Sequence, residues 1–547
     1  AIERRPWPSV AMRRVVALGW LLVSSLAVAC DSSGGKESSS GDPTSPYDHG
    51  SDGTLLDPPG GAGAAGAAGQ SGGSSGSGGA RPNDGFAPEH PLGGFFRYGV
   101  NGGFPNPDWS DPDLAQLEAW RGCNGQRISL PETHLARWGW DIELGDMKKY
   151  SELGLTAHVG FLTSPTREHS TAPSSAADWE LIYYIPKNLH EPILLDDGTI
   201  NPDNFWASYV YETVSTYKGH IKVWEIWNEP DWVSDWRVTQ QWEQRAPTAE
   251  DLPRFNGSIY DYVRMLRVSK VAAQLADPEA KIATGGLGYP SFFAALLRYT
   301  DNPVDGSVTT KYPYKGGAYV DVLSFHHYPI YTPGNSDEAL DGYLAQIQAF
   351  SDVASAAQAE LDGWETTETG APHAAVGDAP GGTDYAIDYL LKVMVSAQAR
   401  GIDGVDWFML ADAAAADATD DPYDLMGLYL PVATLDTVDQ AQPTDTGVAY
   451  ATLGKLLGKS VYDAAATEAL GLADSVRGAA FRTAAGKRAL VLWARATESG
   501  EGATATLPSE AAWTAYEWDW SKSGVETAIA AGAALELTGT PRIFIEP

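Results

Sequence analysis

A chain of 547 residues is too long for one hydrophobic core and is expected to divide into two or more domains. Its 43% hydrophobic content supplies a sizeable core, but 37 Lys and Arg against 71 Asp and Glu leave a formal charge of -34. That balance excludes a nucleic-acid partner, whose phosphates need cationic contacts, and weighs against adhesion to anionic membranes. A neutral substrate fits better, and some of the 19 Trp are candidates to stack on flat, weakly charged rings, although most belong to core packing.

The N-terminus reads as targeting sequence. Met12 followed by Arg13-Arg14 and an apolar run over 15–29 has the layout of an export signal, too short and too poorly flanked to span a membrane. Two endings compete. Ala27-Val28-Ala29 suits ordinary signal peptidase, whereas Leu26-Ala27-Val28-Ala29-Cys30 resembles a bacterial lipobox, with the favoured Leu one position early. The second is adopted: residues 1–30 form the signal, Cys30 carries lipid, and the mature protein is expected at the bacterial cell envelope or secreted. Membrane contact is then expected only through that lipid. With Cys30 so used, the other cysteine, Cys123, is expected as a buried free thiol. Residues 31–92 include Gly60-Gly61-Ala62-Gly63 and Ser71-Gly72-Gly73-Ser74, a low-complexity tract that buries almost nothing and is expected to stay disordered as a tether or spacer.

From residue 93 the texture changes. Strands are predicted over 95–101, 125–130, 155–161, 222–229, 281–286, 320–326, 364–369 and 404–410, with helices over 114–120, 147–153, 201–217, 260–275, 338–360, 385–400 and 446–457. Such alternation implies a parallel sheet, and eight units imply an α/β fold closed as a (β/α)₈ TIM barrel over 93–458. A doubly wound open sheet is the alternative, but no Gly-rich phosphate loop follows an early strand. Residues 459–547 carry five short predicted strands, expected as a small all-β sandwich packed on the barrel. Its role is structural or carbohydrate-binding. A monomer is expected.

In a TIM barrel the chemistry sits where strands end at the C-terminal face. The fourth strand ends Trp227-Asn228-Glu229-Pro230, the sixth His326-His327-Tyr328, and the seventh Thr367-Glu368-Thr369-Gly370; the second carries Arg127 and the eighth Trp407. Two carboxylates, Glu229 and Glu368, thus converge on one mouth, and cleaving a glycosidic bond needs such a pair, one protonated at the leaving oxygen and one ionised beneath the anomeric carbon. Glu225 and Glu365 lie inside their strands rather than at their ends, which sets them aside as the alternative pair.

These residues carry a resemblance. Val223-Trp224-Glu225-Ile226-Trp227-Asn228-Glu229-Pro230 is similar to the Asn-Glu motif of the retaining (β/α)₈ glycoside hydrolases of clan A, and Thr367-Glu368-Thr369-Gly370 resembles that clan's nucleophile strand. Tyr217-Lys218-Gly219-His220 and Ala276-Asp277-Pro278-Glu279 resemble family thirty-nine in particular, with the cellulase-type family five close by. The resemblance implies Glu229 as acid/base and Glu368 as nucleophile. It implies Asn228 on the sugar 2-hydroxyl, Tyr328 hydrogen-bonded to Glu368, Arg127 holding Glu368 ionised, His326 beside Glu229, and Trp407 as the floor under the sugar. The partner it implies is a β-linked polysaccharide or oligosaccharide. Acid/base glycoside chemistry needs no cofactor, and the acidic run 417–424 lacks the spacing of a calcium loop, so no metal is expected. An inactive barrel that binds carbohydrate, and a transglycosylase using the same intermediate, are the alternatives.

Overall fold

The barrel strands are short and almost wholly buried: β1 (Arg97–Val100), β2 (Arg127–Ser129), β3 (His158–Leu162), β4 (Ile221–Ile226), β5 (Lys281–Ala283), β6 (Val322–His327), β7 (Gly363–Thr369) and β8 (Gly404–Trp407). They belong to a computed structural model that describes Leu92 and residues 94–547, apart from 104, 332–333 and 498–499. Cys30, the expected export signal and the tract up to residue 91 lie outside the described residues. The strands pair in parallel in the order β1-β8-β7-β6-β5-β4-β3-β2. β1 and β2 share no ladder, and Asn124 spans the gap instead. Its backbone N–H donates to Tyr98 O (3.0 Å), its Oδ1 accepts from Tyr98 N (2.8 Å), and its Nδ2 donates to Phe96 O (2.9 Å). A side-chain amide, which has the donors and acceptor of a peptide group, closes the ring. The fold is a TIM barrel, not an open sheet.

Helices cover the outside, and their starts are written in the sequence. Ser258 with Asp261 and Asn335 with Glu338 form capping boxes that open the helices Ile259–Ala276 and Ser336–Ala357. Asn204 caps Phe205–Tyr217, which is why that helix starts four residues later than the predicted 201. The helices Glu132–Trp138 and Pro290–Arg298 were not foreseen; both are short, and the second opens with Pro at its first position, where a missing N–H does no harm. Among the described residues no helix is long and apolar enough to cross a membrane. Cys123 is a buried free thiol.

Inside the barrel, side chains alternate along each strand. Val223 and Glu225 on β4, Ser324 and His326 on β6, Glu365 and Thr367 on β7, and Asp406 on β8 face the axis. Val159, Val223, Ala283 and Val322 make a small apolar cluster with Leu92 packed on it. Buried charge neighbours it: Arg97 pairs with Glu365 and Asp406, each at 2.7 Å, and Arg127 with Glu225 at 2.7 Å.

The C-terminal part is antiparallel. β9 (Val461–Tyr462), β10 (Val476–Arg482), β11 (Arg488–Ala494), β13 (Trp513–Tyr516), β14 (Glu526–Ile529) and β16 (Arg542–Ile545) form one six-stranded sheet, and β12 (Thr504–Leu507) pairs with β15 (Leu535–Thr538) in a second. Leu490, Leu492 and Phe544 of the large sheet meet Leu535 and Leu537 of the small one. The opposite face, with Phe481, Val491 and Trp493, joins the barrel core. Fully buried Lys392 anchors the junction by donating to Ser336 (2.6 Å) and Asp337 (2.9 Å), and Trp493 Nε1 donates to the same Asp337 at 3.0 Å. β14 escaped the sequence reading because its Glu-Thr-Ala-Ile faces solvent without an apolar alternation.

Candidate active site

β4 ends in an unusual turn. Trp227 (φ 74°) and Glu229 (φ 44°) both adopt left-handed backbone, which costs about 1–3 kcal/mol for a residue with a side chain and persists only where surroundings enforce it. Here Glu229 N donates to Gly285 O at 2.6 Å, and Gly285 comes so close that an added Cβ would sit 2.4 Å from Ile226 O. Gly286 (φ 62°) makes room for His326, since a Cβ there would lie 2.1 Å from His326 Nε2. The Gly285-Gly286 pair thus takes the chain out of the sheet after β5, ending a strand predicted to run to 286, and frames the turn that presents Glu229.

Across the mouth, Glu368 on β7 accepts from Arg127 Nη1 (2.5 Å) and from Tyr328 Oη (2.7 Å). His326 Nδ1 donates to Glu229 Oε1 (3.0 Å), lies 3.5 Å from Glu368 Oε2, and its Nε2 meets Thr367 Oγ1 at 3.2 Å. Asn228 Oδ1 accepts from Arg127 Nη2 at 2.9 Å. Oxygens of Glu229 and Glu368 and a His326 nitrogen all lie within 4.8 Å of one another. Such spacing suits a cation, but two guanidinium groups already neutralise the carboxylates. Six of the sequence-predicted site residues, Glu229, Glu368, Asn228, Arg127, His326 and Tyr328, therefore meet in one place.

The electrostatics are specific. Burial pushes the Glu229 carboxyl up, but the Arg254 guanidinium, hydrogen-bonded to Oε2, and then His326 outweigh it and hold the group down at about 2. Burial alone lowers an imidazole, yet Glu368 and Glu229 hold His326 above its ordinary value. Burial raises the Tyr328 hydroxyl well above the phenol range, with Glu368 adding to it, so Tyr328 stays a donor. Asp231, buried two residues beyond Glu229, is pushed up to about 7 by burial, although it accepts from Gly288 N and Tyr289 N. Glu225 and Glu365 are sealed in the barrel with side-chain exposures of 0% and 1%, each on its own arginine.

Trp407, expected as the floor under the sugar, is not at the site. It is wholly buried, donates Nε1 to Met426 O at 2.8 Å, and packs against Tyr389 of the helix Thr383–Ala399. The reason is parity: Asp406 points inward to Arg97, so Trp407 must point outward. Phe408, one residue on, returns to the mouth, partly exposed and edge-on to Tyr328 (5.9 Å) and Tyr423 (6.2 Å). Sequence reasoning also passed over Arg254, Thr367 and Tyr423. Only Thr367 carried a signal, its inward parity two residues after Glu365.

No protein-family model matches the sequence, and no curated protein matches it. Solved structures do. A family 39 glycoside hydrolase from the gut symbiont Bacteroides cellulosilyticus WH2 superposes with a TM-score of 0.52 at 16% identity, over 82% of this chain and 80% of that one. The catalytic domain of a GH30 xylanase C from Talaromyces cellulolyticus gives 0.47 at 12% identity over 82% and 95%. A family 51 α-L-arabinofuranosidase from Bifidobacterium longum gives 0.46 at 12% identity over 84% and 96%. At these identities the likeness to the first is one of fold.

Proposed function

We propose that this chain is a retaining glycoside hydrolase that cleaves O-glycosidic bonds of a β-linked polysaccharide or oligosaccharide, with Glu368 as nucleophile and Glu229 as acid/base. The observation that carries the reading is the pair of carboxylates with oxygens within 4.8 Å across one barrel mouth. Oxygens that close leave no room for the intervening water that inversion needs (about 6.5–9.5 Å) and favour double displacement, whose carboxyl groups stand about 5–5.5 Å apart. Glu368, oriented by Arg127 and Tyr328, attacks the anomeric carbon. As the bond to the leaving oxygen breaks, that oxygen takes the Glu229 proton and the sugar becomes an ester of Glu368. Glu229, now ionised, takes a proton from water, the water attacks the same carbon, and the Glu368 carboxylate is released. Asn228, its Oδ1 held by Arg127, offers Nδ2 to the 2-hydroxyl. Phe408, rather than Trp407, supplies the apolar floor. The sequence before residue 31 supports delivery to the bacterial envelope with lipid on Cys30, and mass spectrometry of the mature N-terminal peptide tests it.

Azide separates the two carboxylates. Glu368→Ala removes turnover of every glycoside, and azide restores it on an activated substrate as a glycosyl azide of inverted configuration. Glu229→Ala loses about 10²–10⁴-fold on substrates with poor leaving groups. Azide rescues it with retained configuration, by attacking the ester on Glu368. Swapped configurations reverse the roles, and full activity in both variants ends the proposal.

A further inference from the structure

Arg254 stands in the segment between β4 and the helix Ile259–Ala276, 25 residues past the carboxylate it pairs with. Its position is fixed twice: its carbonyl accepts Trp227 Nε1 at 2.9 Å, and its guanidinium lies over the Trp232 ring at 4.4 Å. Nη1 donates to Glu229 Oε2. Among the described residues Nε and Nη2 have no protein acceptor, and neither is a buried unpaired atom. The side chains of Arg254 and Glu229 are 18% and 19% exposed, so the pair opens to the mouth. Tyr331 and Tyr423, joined through their hydroxyls at 2.6 Å, lie within electrostatic reach of both.

A permanent cation on the acid is an obstacle to acid catalysis of a neutral glycoside. With Arg254 and His326 holding its carboxyl below the ordinary carboxylate range, Glu229 rests ionised near neutral pH. His326 and Arg127 add to the obstacle, and burial, which favours the neutral carboxyl, does not overcome them. Something must draw the guanidinium away when substrate binds, and the open fork of Nε and Nη2 shows what it accepts, since planar paired donors match a carboxylate or a sulfate.

We propose that Arg254 recognises an anionic group, carboxylate or sulfate, on the sugar that departs with the protonated oxygen, so that the substrate is an acidic glycan. The inference rests on the hydrolase reading with Glu229 as acid. The anion takes the donors of Arg254, the ion pair with Glu229 is released, and Glu229 gains a proton from solvent before the leaving oxygen needs it. The formal charge of -34 does not oppose this. Surface charges are screened within about 8 Å at physiological salt, and the field at Arg254 is set by the mouth's own ions, Arg127, Arg254 and His326 against Glu229 and Glu368.

The test uses β-linked disaccharides that share a non-reducing sugar, chosen by an aryl-glycoside screen. They differ only at the reducing end: a neutral hexose, the corresponding hexuronate, or the 6-sulfated hexose. With the full chain at pH 6, kcat/KM is expected about 10- to 100-fold higher for one anionic partner than for the neutral one, the worth of one charge-assisted hydrogen-bonded pair. Which one leads identifies the anion. Arg254→Met brings the ratio to within twofold of one, and Arg254→Lys, which keeps the charge but loses the fork, leaves it intermediate. The ratio cancels any loss of rate common to all three substrates, and the Lys variant keeps the test open if the Met variant does not fold. Equal rates for all three in the wild type, or a preference that survives Arg254→Met, overturns the proposal. Absence of turnover on every glycoside, 2,4-dinitrophenyl glycosides included, instead overturns the hydrolase reading beneath it.

Discussion

Arg127→Met removes a cation that links the barrel interior to the mouth, pairing with Glu225 below and Glu368 above. The Arg127 side chain is 3% exposed and lies over the Phe161 ring at 4.1 Å. It donates to Glu225 through Nε (3.0 Å) and Nη2 (2.7 Å), to Glu368 (2.5 Å), to Asn228 (2.9 Å) and to Asn101 (3.3 Å). Methionine keeps the apolar stem and loses every donor. Glu368 is 13% exposed and can turn to water, whereas Glu225, at 0%, cannot. Leaving a buried carboxylate without its partner costs about 3–5 kcal/mol. At about 2.1 cal/mol/K of unfolding entropy per residue, a folded unit of about 450 residues loses about 3–5 °C in Tm. The loss also depends on pH. Burial already holds the Glu225 carboxyl above its ordinary value, with Arg127 the main influence against it, so removing Arg127 raises it further. A group raised on folding contributes stability below its unfolded pKa and loses it as pH rises through the folded value. Relative to wild type, the variant's deficit is therefore smallest below about pH 4.5 and grows toward neutrality. Arg127→Met/Glu225→Gln, which buries no charge, regains at least half of the Tm and none of the activity, since Glu368 still lacks Arg127. Differential scanning calorimetry at pH 4.5 and pH 7, beside an aryl-glycoside assay, reads all of this. A Tm within 1 °C of wild type at pH 7, or no recovery in the double variant, refutes the reasoning.

Three further outcomes follow from particular contacts. Gly286→Ala places a Cβ 2.1 Å from His326 Nε2 at a φ of 62°, so kcat should fall about 10²-fold while the fold survives; an unchanged kcat counts against His326 as a support for Glu229. Trp407→Ala should cost about 3–5 kcal/mol, whereas Phe408→Ala should raise KM with a smaller change in Tm; the reverse pattern restores Trp407 as the floor. The Glu229 carboxyl, at about 2, contributes stability above its ordinary 4.5 that is lost as pH falls through 2. Glu229→Gln should therefore flatten the acid limb of the stability curve between those values, and an unchanged limb shows that Arg254 and His326 do not hold the carboxyl down.

How far the sequence reached can be judged residue by residue. The barrel was legible because β/α alternation repeats over a long span. The capped helices were legible to within a few residues, and the short helix Pro290–Arg298 was not, because nine residues give too little periodicity. Trp407 misled because aromatics stand both at 407, which ends β8, and at 408 just after it, and only the inward Asp406 tells which one faces the mouth. Arg254 left no trace, since its closeness to Glu229 is created by a loop that Trp227 fastens from a distance.

The choice of Glu229 and Glu368 over Glu225 and Glu365 rested on position along the strand, and there is a physical reason for that rule to work. Charge does not discriminate among the inward carboxylates. Arg97 serves Glu365 and Asp406, Arg127 serves Glu225 and Glu368, and Arg254 serves Glu229. Access does discriminate. Side-chain exposure is 0% for Glu225, 1% for Glu365 and 0% for Asp406, against 19% for Glu229 and 13% for Glu368. An acid one turn of the pleat below the rim is packed over by the layer above it and can only balance an arginine. An acid at the rim has an arginine on one side and open space on the other, and only there can a substrate atom come within bonding distance.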